Sequence, residues 1–130
     1  MKKYISIIII PFILFATILT ASFYESYDVQ VKILSKLSDK TTKRLLKKYN
    51  FKLKHNVGVK VKVIQSKAKD YSHTTKRLKK GQEIEIVIST EDESLLKKIK
   101  KGNILSLTYT YEDDETDDGL YESKSWVLEK

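Results

Sequence analysis

Val57-Gly58-Val59-Lys60-Val61-Lys62-Val63-Ile64 is the stretch that decides the fold. Valine recurs at every second position, with glycine and lysine between. In an extended chain a period of two places Val57, Val59, Val61 and Val63 on one face and the lysines on the other. That is a half-buried strand, with Gly58 as the expected place for a bend or bulge.

The same alternation appears on either side. Tyr27 to Leu34 carries Val29, Val31 and Ile33 in step, and Phe51-Lys52-Leu53 briefly resumes the pattern. Glu83 to Ser89 reads as a further strand, as does Asn103 to Tyr111, with Leu107, Tyr109 and Tyr111 at alternate positions. Tyr121 to Leu128, containing Trp126, returns as the last. Two short helices interrupt the strands. Ser38 or Asp39 can cap one over Thr41 to Tyr49, with Leu45 and Leu46 inward. Thr90 can cap another that runs to Ile99, with Gly102 as its stop. Residues 65–80 read as a loop or a weakly formed strand. The acidic stretch ending at Gly119 reads as a connection.

Five or six short strands with one or two short helices predict a mainly β, β-rich α+β fold. The expected form is a small twisted barrel or sandwich, OB-like by analogy of architecture. A faint echo, Thr41-Thr42-Lys43-Arg44-Leu45 against Thr74-Thr75-Lys76-Arg77-Leu78, is too short to establish a duplication.

The N-terminus has a different character. Met1-Lys2-Lys3-Tyr4 precedes an uncharged run from Ile5 to Ala21. Lysines followed by an apolar run match a secretory signal peptide, which is the favoured reading. An uncleaved anchor is the alternative: as a helix the run spans about 26 Å, at the short end for a bilayer. Either way residues 1–22 form a signal or membrane anchor and residues 23–130 a single β-rich domain. That domain is expected to be exported, periplasmic or extracellular, with tethering to the inner membrane if the anchor is kept.

The 130 residues contain no cysteine. Disulfides, thiolate catalysis and Cys-ligated metal centres are therefore excluded. His55 and His73 are the only histidines. Neither sits in a metal-binding or nucleophile motif, so no catalytic residue, metal site or cofactor is expected. Asp114-x-Thr116-x-Asp118-Gly119 matches the opening of a calcium loop. Its twelfth position is Ser125 where a bidentate glutamate should stand, so an acidic hairpin is preferred.

The net charge of +8 is unevenly placed. Residues 23–82 carry 17 Lys and Arg against 4 Asp and Glu, and residues 83–130 carry 6 against 13. Lys43, Arg44, Lys47 and Lys48 share one helical side. Lys76, Arg77, Lys79 and Lys80 form a second cluster, with Tyr71 nearby. These nine residues are the candidate binding patch for an anionic partner. Such a patch serves an anionic component of the bacterial cell envelope, a membrane surface or an acidic protein. Nucleic acid is not favoured, because only two arginines are available for bidentate contacts. The split charge also allows self-association. The expected function is a non-enzymatic exported binding or accessory domain. The alternative is an inhibitor or immunity-type protein that binds a secreted enzyme or toxin, and a small hydrolase ranks last.

Overall fold

The computed structural model describes residues 22–71, 78–116 and 119–129, with side chains for 25–67, 78–113 and 122–129. The chain runs β1 (Ser22–Lys36), α1 (Asp39–Tyr49), β2 (His55–Tyr71), β3 (Glu83–Thr90), a 3₁₀ helix (Glu93–Lys98), β4 (Ile104–Thr116) and β5 (Gly119–Val127). The strands form a closed barrel in the order β1-β2-β3-β5-β4. The small β-rich barrel expected from the alternating strands is thus the fold, and the sandwich is not. No helix among the described residues is long and apolar enough to cross a membrane, and residues 1–21 lie outside them.

Alternation builds the core as expected. Val29, Val31, Ile33, Val59, Val61, Val63, Ile86 and Ile88 all point inward and are buried. Leu105 and Leu107 of β4 face them from the next strand. Each such side chain contributes roughly 1.5–3 kcal/mol relative to exposure. One half of the interior is aromatic: Tyr27 stacks on Tyr109 with ring centroids 6.0 Å apart, and Tyr109 packs on Trp126 at 4.2 Å.

Closure is uneven. β1 pairs with β4 continuously from Ser22↔Asp114 to Lys32↔Ile104. β3 and β5 meet in parallel through only two pairs, Ile88↔Trp126 and Ser89↔Val127. This parallel seam is the weak side of the barrel, and α1 packs across β2, β3 and β5 beside it.

Several boundaries differ from the sequence expectation. Register shifts fall between Ile33 and Ser35 of β1 and opposite Gln30/Val31 and Ser26/Tyr27, not at Gly58, which pairs in step with Val87. Gly58 is glycine for another reason: a Cβ there would run into the Thr42 side chain of α1. Phe51 to Leu53 is not a strand. The Asn56 side chain binds both the N–H and the C=O of Leu53 (3.2 and 2.8 Å), folding the chain into a turn before β2. Residues 65–71 belong to β2 and continue its pairing with β1 as far as Glu25↔Tyr71.

The acidic stretch is not a free connection either. Glu112, Asp113 and Asp114 lie in β4, paired on one side with β1 and on the other with β5. The register continues to Thr116↔Gly119, which is the hairpin reading of that sequence. The second helix is a 3₁₀ turn capped by Asp92, whose Oδ1 accepts from the Ser94 N–H. Thr90 closes β3 instead of capping.

Candidate functional site

The candidate patch begins with α1. Ser38 caps the helix, its Oγ accepting from the Thr41 N–H at 3.2 Å. Asn50 ends it in the left-handed region at φ 56°, a conformation asparagine tolerates. Leu45 and Tyr49 are buried and point to the barrel, while Lys43, Arg44, Lys47 and Lys48 are exposed. Among the described residues none of these four cations has a carboxylate within ion-pair distance; Lys60 and Glu83, both half-exposed, do pair, at 3.8 Å. Lys47 and Lys48 also complement the negative end of the helix dipole, so part of their role is structural.

Tyr49 holds the helix down. Its hydroxyl donates to the Glu85 carbonyl at 3.0 Å, and Lys124 Nζ lies 6.0 Å from its ring centroid. Burial, then the Glu85 carboxylate, push the Tyr49 pKa up to about 12, against a smaller opposing effect of the Trp126 indole N–H. The Trp126 N–H is buried and makes no hydrogen bond of ordinary geometry.

The second cluster is placed in part. Lys79 and Lys80 are exposed at the turn before β3, and the Gly81 N–H and Gln82 carbonyl tie this turn to Val63. Leu78, directly before them, lines the same cleft of about 370 Å³ as Tyr49, the last residue of α1. The cleft is lined by residues next to each cluster and by none of the clusters' own cations. Tyr71 ends β2 opposite Glu25, with its side chain outside the described set. Lys76 and Arg77 lie outside the described residues, as does His73.

His55 begins β2 and lines a shallow cleft with Asp39, Thr42 and Lys43. Its Nε2 is buried without a hydrogen-bond partner. Among the described residues no group of three His, Asp or Glu side chains could hold a metal ion. Asp114 and Thr116, the first two positions of the calcium-loop match, sit in the paired strand β4 and not in a loop.

Sequence reading missed one basic grouping. Lys32 of β1 lies directly opposite Lys62 of β2 and, on its other side, Ile104 of β4. The period-two pattern announced that both lysines face outward. Only strand register reveals that they are neighbours.

In an OB-type barrel the outer face of strands 2 and 3 is the usual nucleic-acid platform. Here α1 covers part of that face: Thr42 sits against Gly58, and Val87, the partner of Gly58, is only 1% exposed. No family model, no curated protein and no solved structure matches the chain.

Proposed function

We propose that this protein is a non-enzymatic exported binding or accessory domain of the cell envelope, meeting an anionic partner through the exposed side of α1. The observation that carries this reading is the row Lys43, Arg44, Lys47 and Lys48, exposed and without carboxylate partners among the described residues. The helix bearing them is fixed by a cap at one end and by Tyr49 at the other. Charges on a rigid support lose less entropy on binding than charges on a loop. Where α1 lies against Gly58 and Val87, the outer face of β2 and β3 is closed to the OB mode of gripping single-stranded nucleic acid.

The test is retention of the full-length protein, in non-ionic detergent, on envelope extract at low and high salt. Retention at low salt and release near 0.5 M salt are expected, because an exposed charge contact is screened within a few ångströms there. Replacing Lys43, Arg44, Lys47 and Lys48 by glutamine should weaken retention and leave the fold intact. A complex that ignores both salt and these four residues would instead support a specific inhibitor-like contact.

A further inference from the structure

Building on the proposed anionic partner, we infer that it is a linear phosphate-bearing polymer, and that it runs from α1 onto a second basic platform at the end of the barrel formed by Lys32, Lys62, Lys100 and Lys101.

The platform is assembled by hydrogen bonds that sequence order does not suggest. The Gly102 N–H donates to the Ile33 carbonyl (2.8 Å), and the Ile33 N–H donates to the Asn103 carbonyl (2.9 Å). These bonds fasten the Lys100–Asn103 turn beside Lys32. Asn103 Nδ2 donates to the Lys98 carbonyl at 2.9 Å and stiffens the turn from within. Gly102 takes φ 90°, which permits the sharp reversal. The four lysines are exposed.

Lys32 and Lys62 stand directly opposite each other on neighbouring strands. Like charges in that position destabilise a sheet. Glu83 faces Lys62 from β3, but its ion pair is with Lys60. Of the three acids that precede the turn, Glu91 accepts from the Lys54 N–H, Asp92 caps the 3₁₀ helix and Glu93 stands in that helix's first turn. Ile104, 59% exposed, lies beside Lys32.

The platform connects to α1. Lys43 and Leu96, with Asp39, line one cleft, so the 3₁₀ helix that leads into the lysine turn borders the same cleft as α1. The path from Lys47 and Lys43 past this helix to Lys100, Lys101 and Lys32 is a basic track, not a point site. A track of lysines, each a point charge without a planar fork, suits a flexible chain bearing regularly spaced phosphates. Lys32 lies ten residues, or about 33 Å along the strand, from Ser22, which begins β1 opposite Asp114 of the acidic β4–β5 hairpin.

The experiment measures binding of the full chain, in non-ionic detergent, to long-chain inorganic polyphosphate, to tripolyphosphate and to phosphatidylglycerol nanodiscs. Long-chain polyphosphate should bind at least about tenfold tighter than tripolyphosphate, since one chain engages several lysines at once. The variant Lys32→Gln/Lys62→Gln/Lys100→Gln/Lys101→Gln should lose about tenfold or more at low salt. Its affinity should also depend less steeply on log salt, by roughly three units. Wild-type affinity in that variant, with a normal melting curve, overturns the platform and leaves the α1 reading standing. Tighter binding to nanodiscs than to polyphosphate overturns the polymer. Failure of the native chain to bind any of the three at low salt overturns the polyphosphate track, whereas loss of envelope retention as well removes the proposed function.

Discussion

The phenolic hydroxyl of Tyr49 caps the backbone carbonyl of Glu85 at 3.0 Å, joining the end of α1 to the exposed edge of β3. The reason lies in the seam. β3 and β5 pair only at Ile88↔Trp126 and Ser89↔Val127, so the earlier part of β3 has no strand on that side. The contact is part-buried, and a backbone carbonyl shielded from water needs a partner. Tyr49 meets that need and, in doing so, sets the position of the lysine-bearing helix.

Tyr49→Phe keeps the ring and removes the bond. A loss of about 1 kcal/mol is expected in urea denaturation near neutral pH. The pH response is the sharper readout. The Tyr49 pKa is raised to about 12 in the folded chain, against 10.0 for the free side chain. Folding therefore holds the phenolic proton more tightly. Its contribution is complete below pH 10 and declines as pH rises towards 12. Tyr49→Phe should flatten that decline. Equal slopes in the two proteins would show that Tyr49 does not titrate in this way.

Gly58→Ala places a methyl group against Thr42. Overpacking of this kind costs typically about 1–3 kcal/mol. Thr42→Ala in the same chain should recover part of it, because the Thr42 Oγ1 is the nearest atom met. A double-mutant cycle in denaturant measures the coupling. Strict additivity would mean that helix and strand are not in contact here.

Asn56→Ala removes a three-way junction. The Asn56 amide binds both backbone groups of Leu53, and its Oδ1 also accepts from Ser89 Oγ at 2.7 Å. A loss of about 1–3 kcal/mol is expected, since the Leu53 groups and the Ser89 hydroxyl lose their partner together. Amide hydrogen exchange at Leu53 should accelerate in the variant. An unchanged rate would place the protection of that amide elsewhere.

Ser38→Ala strips the α1 cap. Thermal or urea melting should register about 0.5–2 kcal/mol. Ser38→Asp should restore most of it, since a carboxylate can accept from the same N–H and also favours the positive end of the helix. A Ser38→Asp protein as weak as Ser38→Ala would show that the cap is not what holds α1.

The alternation of valines between 57 and 63, and its echoes in the other strands, was legible because a strand's side-chain period is a local property. The basic side of α1 was legible for the same reason: residues three and four apart on a helix share a face whatever surrounds them. The position of Phe51 to Leu53 was not, since its turn depends on the side chain of Asn56. The acidic run 112–116 was legible as a hairpin, but not that Glu112, Asp113 and Asp114 pair with strands on both sides, where cross-strand hydrogen bonds outweigh a weak strand propensity.

By itself the chain determined its strands, its capped helix, its lack of thiol chemistry and the sign of its charges, since each follows from neighbours a few residues apart. Tertiary structure decided the closure order, the need for glycine at 58, the bond from Tyr49 to Glu85 and the pairing of Lys32 with Lys62. The last three join residues 16, 36 and 30 positions apart, and strand register and helix docking emerge only when the whole apolar surface is buried at once.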